Sequence, residues 1–276
     1  MAKVTTQVLQ EMKKRGEKIT YTTAYDYSTG LLVDKAGIDV ILVGDSLGMT
    51  MMGEDTTVPV TMEQMIHHIK CVVKGAKNPM IVGDMPFGSY NVSKEQAIMN
   101  ATRLMKEGGC DVIKLEGGAA VKETVRAIVD AGIPVMGHIG LTPQTISKLG
   151  GFKVQGKDAE AAKSLIEDAK ALEEAGAFSL VLECIPAQIS KMITEAVSIP
   201  TLGIGAGIYC DGQIMVFHDM VGLFDKFTPK FVKKYVNLTD IILKALEEFK
   251  EDVKAQKFPE EKHSFGIKEE ELERLY

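Results

Sequence analysis

The chain has few cysteines, and their spacing excludes two common uses of cysteine. The four residues, Cys71, Cys110, Cys184 and Cys210, form no Cys-x-x-Cys pair and have no His-x-x-x-His motif near them. This pattern argues against a structural zinc site and against a disulfide framework. We therefore expect reduced thiols and a cytoplasmic protein.

Long apolar runs and clusters of like charge are also missing. No run is long enough to span a bilayer, and the 45 % hydrophobic and 25 % charged fractions are typical of a soluble globular protein. The formal charge of −6, with Lys and Arg scattered, gives no basic surface for nucleic acid or an anionic membrane. We expect a small-molecule partner. The amino terminus shows no charged-then-apolar signal segment, and the helical spacing of apolar residues in 4–15 indicates a helix there.

Short apolar runs alternate with amphipathic stretches from residue 18 onward. The predicted strands are residues 19–23, 39–43, 80–84, 111–116, 134–138, 178–183 and 200–205, with an eighth candidate at 213–217 that could also be helical. Predicted helices between them include residues 93–107, 119–131 and 158–175. This alternation is expected of repeated βα units.

The length of 276 residues allows one large barrel or two smaller domains. No Pro/Ser-rich linker divides residues 18–222, so we predict a single α/β domain, a (β/α)8 TIM barrel, with a doubly wound α/β sheet as the alternative. Residues 223–276 are predicted to add a carboxyl-terminal helix, at 239–254, and a polar tail. This extension is either solvated or an arm that packs on a neighbouring subunit.

Four acidic residues each stand at the end of a short apolar run, namely Asp45, Asp84, Glu116 and Glu183. Runs of this length and composition are typical of buried parallel strands. The carboxyl ends of such strands converge on one ligand site. Acids that lie far apart in the sequence are therefore expected to meet.

Three of these acids suit a metal ion. Asp45, Asp84 and Glu116 offer only oxygen ligands, which favour Mg²⁺ over zinc. Magnesium keeps open positions, and a 2-oxo acid could fill them with its keto and carboxylate oxygens. The alternative is that such acids only cap the helices that follow, above all at Asp45 and Ser46.

Lys114 lies two residues before Glu116, so both side chains point to the same face of a strand. If that face is the barrel interior, Lys114 needs an anion, and a substrate carboxylate is a natural one. The alternative is a buried ion pair with Glu116 itself.

Glu183 has apolar neighbours in the sequence and no adjacent cation. Loss of water around a carboxylate makes it a stronger proton acceptor, so Glu183 is a candidate general base. The alternative is a strand-end glutamate that faces solvent. His138 ends another apolar run and either hydrogen-bonds a reacting oxygen or is structural.

Two loops and one glycine-rich stretch complete the candidates. Residues 203–207 resemble a phosphate-binding loop, and close backbone packing explains their glycines equally well. Residues 46–62 and 86–90 are long or aromatic enough to cover a site.

Seven motifs occur in order over nearly the whole chain. They are TTAYD at 22–26, GDSLGM at 44–49, DMPFGSY at 84–90, KLEGG at 114–118, GHIGLTPQ at 137–144, VLECIP at 181–186, and GIGAG at 203–207 followed by CDGQ at 210–213. Together they closely resemble the ketopantoate hydroxymethyltransferase family.

The resemblance implies a barrel of the phosphoenolpyruvate and pyruvate-binding superfamily. It implies transfer of a hydroxymethyl group from 5,10-methylenetetrahydrofolate to 3-methyl-2-oxobutanoate, which gives 2-dehydropantoate for pantothenate synthesis. It also implies a large homo-oligomer, often a decamer. The alternatives are a C–C lyase or mutase of the same superfamily, and a metal-binding barrel without turnover that acts as a sensor or scaffold.

The same resemblance implies a role for each site residue. Asp45 and Asp84 are similar to Mg²⁺ ligands of the family, with Glu116 a direct or water-mediated one. The oxo-acid contacts are implied to be Asp45, Ser46, Asp84 and Lys114. Glu183 resembles the proton acceptor, and its presence speaks against a barrel without turnover.

Overall fold

Eight parallel strands close into a barrel in the computed structural model, which describes residues 2–151, 153–224 and 226–276. Each strand pairs with the next in the sequence, and the last pairs with the first. The strands are β1 (Ile19–Thr23), β2 (Val40–Val43), β3 (Met80–Asp84), β4 (Val112–Glu116), β5 (Val135–Gly140), β6 (Ser179–Glu183), β7 (Thr201–Ile204) and β8 (Gly212–Met215). The barrel is confirmed, and the doubly wound alternative is excluded because no sheet edge is open.

Helices connect most of the strands on the outside of the barrel. The α-helices are α1 (Thr6–Arg15), α2 (Tyr27–Lys35), α3 (Leu47–Thr50), α4 (Met62–Gly75), α5 (Lys94–Arg103), α6 (Lys122–Asp130), α7 (Ile146–Leu149), α8 (Ala159–Glu174), α9 (Ala187–Ala196), α10 (Phe217–Met220), α11 (Leu238–Lys254) and α12 (Glu269–Glu273). The eighth candidate strand is confirmed as β8, and the chain turns helical only at α10.

Two predicted helices are less regular than their sequence pattern indicates. The segment predicted at 93–107 is α5 followed by a π-helical turn at Leu104–Gly108, which ends where Gly109 adopts a φ of 89°. The left-handed region favours glycine, so Gly109 stops the helix there. The segment predicted at 119–131 begins with a 3-10 turn at Ala119–Val121 before α6.

Alternation along each strand divides the core into two layers. On β2, Val40 and Leu42 belong to the cluster inside the barrel, whereas Ile41 and Val43 belong to the cluster between strands and helices. The two-residue period of a strand produces this division, since successive side chains point to opposite faces. Every strand residue that faces the interior is therefore two positions from the next.

Helix α1 covers the amino-terminal end of the barrel. Its Leu9 and Met12 join the interior cluster, and Lys13 Nζ lies 2.9 Å from Asp211 Oδ2 beside β8. The interior is apolar near this end and polar near the carboxyl ends of the strands. A site in the barrel interior consequently opens at the end away from α1.

The chain after α10 is largely exposed. Helix α11 has no buried residue, and the residues of α12 are exposed as well. Across the described residues, no helix combines the length and apolar composition that crossing a membrane requires.

Candidate active site

All eight strands contribute residues to the lining of one cavity of about 380 Å³ at their carboxyl ends. Asp84, Glu116 and Glu183 are the last residues of β3, β4 and β6, and Asp45 follows β2 after Gly44. The structure thus brings together the four acids that end apolar runs. The predicted site residues Ser46, Lys114 and His138 line the same cavity.

Lys114 forms the centre of the polar cluster. Its Nζ lies 2.8 Å from both Asp84 oxygens and 3.6 Å from Glu116 Oε1. The ion pair with Glu116 that the spacing suggested is therefore present, but the contact with Asp84 is shorter. Burial alone would lower the pKa of Lys114, but the charges of Asp84, Glu116 and Asp45 outweigh it and raise the pKa well above its usual value. Lys114 is held as a cation.

Asp45 is buried beside two other carboxylates. Burial first, and then the charges of Asp84 and Glu116, raise its pKa well above the ordinary value of an aspartate. Gln144 Nε2 donates to Asp45 Oδ2 at 2.9 Å, and the backbone N–H of Asp45 donates to Asp84 Oδ2 at 3.2 Å. Asp45 Oδ1 accepts no hydrogen bond from the part of the chain that the structure describes, so it is available to a ligand.

His138 lies between two carboxylates. Its Nδ1 is 3.5 Å from Glu116 Oε1, and its Nε2 is 3.2 Å from Glu183 Oε2. Neither contact has the alignment of a hydrogen bond. Burial would lower the pKa of His138, but the two carboxylates outweigh it and raise the pKa to about 9. The imidazolium form is thus favoured at neutral pH.

Glu183 is mostly buried, with 16 % of its side chain exposed. It lines the cavity, so the solvent-facing alternative is wrong. The sequence showed no cation next to Glu183, whereas the fold supplies His138 from the adjacent strand β5. The cause is the pairing of β5 with β6, which joins residues that are far apart in the sequence.

Ser46 stands at the start of α3, but its side chain makes no capping hydrogen bond. Its Oγ lies 2.8 Å from the hydroxyl of Tyr25 instead. Asp45 accepts from Gln144 rather than from a helix N–H. The capping alternative for this pair is therefore wrong, and both side chains face the cavity.

Sequence reasoning missed the role of Gln144, which hydrogen-bonds to Asp45, Met85 and Glu116 at the ends of three strands. Its Nε2 also donates to Met85 O at 2.9 Å, and its backbone N–H donates to Glu116 Oε2 at 3.1 Å. The hydroxyl of Tyr90 donates to Gln144 Oε1 at 2.6 Å. The GLTPQ motif contained the signal, but a neutral amide after a strand has no distinctive local pattern.

The cavity is covered from two directions. Met49, Thr50 and Thr57 of the predicted covering loop 46–62 line it. A second cover, which the sequence did not indicate, comes from residues after α10, including Phe231. A Cβ built on Gly205 would lie 2.6 Å from the Phe231 ring, and Gly205 has a φ of 63°. Close packing therefore accounts for this glycine of the 203–207 stretch.

The donor chemistry of the cluster fits a hard divalent cation. Three buried carboxylates, on Asp45, Asp84 and Glu116, surround the single ammonium of Lys114. Within the described ranges, no three His, Cys, Asp or Glu side chains are arranged to hold a metal ion by themselves. Magnesium is commonly held by only one or two carboxylates together with water and substrate. The cluster has more carboxyl groups than ammonium groups, and Asp45 has a free oxygen, so it offers the ligands that Mg²⁺ requires.

Many solved structures resemble the fold, and two of them show how far the likeness extends. One is 2,3-dimethylmalate lyase, described as a PEP mutase/isocitrate lyase superfamily member; its TM-score is 0.59 at 14 % identity, and the match covers 100 % of this chain and 95 % of that chain. The other is phosphonopyruvate hydrolase in complex with oxalate and Mg²⁺; its TM-score is 0.59 at 12 % identity, and the match covers 95 % of this chain and 93 % of that chain. At these identities the likeness shows the barrel fold alone.

Sequence comparison is more specific. The chain is 58 % identical over 276 residues, 100 % of both chains, to 3-methyl-2-oxobutanoate hydroxymethyltransferase of Syntrophomonas wolfei. It is 55 % identical, again over 100 % of both chains, to the enzyme of the same name from Carboxydothermus hydrogenoformans. The family model of ketopantoate hydroxymethyltransferase matches residues 3–261. The chain therefore belongs to the ketopantoate hydroxymethyltransferase family.

Proposed function

We propose that the protein transfers a hydroxymethyl group from 5,10-methylenetetrahydrofolate to 3-methyl-2-oxobutanoate. The product is 2-dehydropantoate, an intermediate of pantothenate synthesis. The observation that carries this proposal is the 58 % identity, over the whole length of both chains, to a relative named for this reaction. The buried cluster of acids around Lys114 supports it, since an oxo acid needs a cation for its carboxylate and a base for its C3 proton.

Magnesium is the proposed cofactor, with Asp45 and Asp84 as ligands and Glu116 as a direct or water-mediated one. When bound, Mg²⁺ would polarise the keto group of the oxo acid and so acidify its C3 proton. Asp45 offers a free oxygen, whereas Asp84 shares both of its oxygens with Lys114. The buried positions of these carboxylates keep competing water away from them.

Lys114, Ser46 and His138 are the proposed contacts of the oxo acid besides the metal ligands. Lys114 is a buried cation, so it neutralises a bound carboxylate throughout the reaction. The Ser46 hydroxyl is oriented by Tyr25 at 2.8 Å and can donate to a substrate oxygen. The imidazolium of His138 can donate to an oxygen that becomes negative, since neither ring nitrogen has an aligned hydrogen-bond partner.

Glu183 is the proposed general base. It takes the proton from C3 of the oxo acid, and the enolate then attacks the methylene carbon of the folate. Both bonds of the methylene carbon to the folate nitrogens break, and a water supplies the hydroxyl oxygen. The C3 proton and the second proton of that water go to the two nitrogens, so tetrahydrofolate leaves. His138 Nε2 lies 3.2 Å from Glu183 Oε2 and so helps to position the carboxylate.

We further propose that the protein is a homo-oligomer in which α11 packs on a neighbouring subunit. Ile242, Leu246, Phe249 and Val253 recur at helical spacing on this helix, and each is more than 40 % exposed. An apolar stripe of this length is typical of a helix that is covered in the assembled protein.

The decisive experiment separates proton abstraction from transfer. The protein is incubated with 3-methyl-2-oxobutanoate in D₂O, with and without Mg²⁺, and exchange at C3 is followed by proton NMR as the methyl doublet collapses. We expect exchange only with the metal. 5,10-methylenetetrahydrofolate is then added, and 2-dehydropantoate is expected to form. Exchange without any product would exclude the transferase, and metal-dependent cleavage of a larger acid would favour a lyase.

A further inference from the structure

The cavity is larger than the oxo acid requires. Its volume of about 380 Å³ falls in the range of sites for drug-sized ligands, roughly 300–1,000 Å³. A five-carbon oxo acid at the polar cluster fills only part of it. The lining also includes six residues outside the polar cluster, and the space that they border is here called the upper cavity: Asp219, Phe224, Phe227, Phe231, Lys153 and Lys230.

Asp219 is the unexplained polar group of the upper cavity. It lies on α10, directly after β8, and it is half-buried. Its carboxylate makes no hydrogen bond or ion pair with any described residue. Burial raises its pKa to about 6, against the weaker opposing effect of Lys234. A half-buried carboxylate without donors is costly unless a ligand supplies them.

Aromatic and apolar side chains line the same cavity as Asp219. Phe224 and Phe231 line the cavity, together with Ile214 and Val216 of the barrel wall. The ring of Phe231 is fixed against the backbone of Gly205, so this wall is preformed. Flat apolar walls favour a flat ring system, which stacks on phenylalanine faces.

The rim of the upper cavity carries positive charge. Lys153 and Lys230 are exposed and line its mouth. Neither forms an ion pair with the residues that the structure describes. Phe227, also at the mouth, is 63 % exposed. A ligand with an aromatic body and an acidic tail matches this rim.

We propose that the upper cavity binds the folate co-substrate, with the fused ring against the phenylalanines and Asp219 as its acceptor. The N3–H and the 2-amino group of the ring donate to the two oxygens of Asp219 in a paired, charge-assisted arrangement. The glutamyl carboxylates lie towards Lys153 and Lys230. This inference rests on the proposed function and deepens it.

The test measures binding without turnover. Dissociation constants of tetrahydrofolate and of 3-methyl-2-oxobutanoate with Mg²⁺ are determined by calorimetry for the wild type, Asp219→Asn and Glu195→Gln. Asp219→Asn is expected to weaken the binding of tetrahydrofolate about 10-fold to 100-fold, because the amide keeps one acceptor oxygen but loses the second acceptor and the negative charge. Glu195→Gln removes an exposed negative charge on α9 and should change neither constant. Unchanged oxo-acid affinity in Asp219→Asn shows that the fold is intact.

A tetrahydrofolate analogue that lacks the 2-amino group tests the pairing itself. The wild type should bind the analogue weakly, and Asp219→Asn should bind tetrahydrofolate and the analogue almost equally. If loss of the 2-amino group weakened binding by the same factor in the wild type and in Asp219→Asn, Asp219 would not be the partner of that group. Tetrahydrofolate binding of wild-type strength in Asp219→Asn would overturn the inference. No binding of tetrahydrofolate by the wild type would instead count against the proposed function.

Discussion

The ammonium group of Lys114 lies 2.8 Å from both carboxylate oxygens of Asp84, and both side chains are almost fully buried. The two residues are adjacent because β3 and β4 pair with Asp84 opposite Lys114. Each charge of such a buried pair offsets the cost of burying the other, since either charge alone would be very unfavourable in the interior. Asp45 and Glu116 add two more carboxyl groups. The imidazolium of His138 lies 3.5 Å from Glu116, whereas burial and the charges of Asp84 and Glu116 raise the pKa of Asp45, so a further cation at Asp45 would be favourable.

Replacing Lys114 by Met should destabilise the protein strongly. The variant removes the only lysine near three buried carboxylates, so we expect the free energy of unfolding to fall by about 3–5 kcal/mol. Urea denaturation without added metal measures it. Lys191→Met is the control, because Lys191 is 53 % exposed and its contacts, a 3.8 Å ion pair with Glu195 and the ring of Tyr209, lie at the surface. Equal stability of the two variants would contradict this account of the cluster.

Replacing Glu183 by Gln should abolish proton exchange but spare binding. The amide keeps the size of the side chain and cannot accept the C3 proton, so exchange in D₂O should fall about 10²-fold to 10⁴-fold. The matched variant Asp45→Asn should instead weaken the binding of Mg²⁺ and of the oxo acid. Exchange at the wild-type rate in Glu183→Gln would remove this residue as the base.

Gln144 should act on the metal through Asp45. Gln144→Leu retains the volume but loses the 2.9 Å donation to Asp45 Oδ2. Outer partners of metal ligands typically contribute a factor of about 10–100 in affinity, and we expect a loss in that range for Mn²⁺ measured by EPR. Tyr90→Phe removes a hydroxyl that bonds Gln144 Oε1 and the backbone of Glu116, but it leaves the Gln144 amide in place, so its effect should be smaller. If Gln144→Leu binds Mn²⁺ as tightly as the wild type, Gln144 is not a positioning residue.

The sequence predicted most of the fold and the members of the cluster. Short apolar runs located β1 to β8, and the acids at their ends predicted that Asp84, Glu116 and Glu183 share one cavity. These features are local, since a strand of four to six residues contains its own pattern. The roles of the acids remain predictions.

Contacts between distant segments could not be predicted in the same way. The pairing of His138 with Glu183 depends on the register of two strands, and the donation from Gln144 to Asp45 joins residues 99 positions apart. The cover formed by Phe231 depends on Gly205. None of these contacts leaves a periodic signal along the chain.

Stability should depend on the ionisation of Asp219 between about pH 4 and pH 6. Its folded pKa is raised to about 6 from 3.8, so in this window the folded state keeps a proton that the unfolded state has lost. The group therefore contributes stability below about pH 4 that is lost as the pH rises through 6. We expect Asp219→Asn to gain stability relative to the wild type over this window, as measured by urea denaturation. If the difference in the free energy of unfolding between Asp219→Asn and the wild type stayed constant from pH 4 to pH 7, the carboxylate of Asp219 would not be desolvated.

The apolar stripe of α11 should control assembly. Leu246 and Phe249 are 58 % and 56 % exposed, and covering such side chains stabilises a contact by about 1.5–3 kcal/mol each. We expect the double variant Leu246→Gln and Phe249→Gln to sediment as a smaller species than the wild type. Lys244→Gln with Lys250→Gln alters two exposed polar positions of the same helix and should leave the assembly intact. Because the stripe makes no contact with its own barrel that buries it, the folded subunit should survive the loss of both apolar side chains. Equal mass for the wild type and the apolar double variant would mean that another surface holds the subunits together.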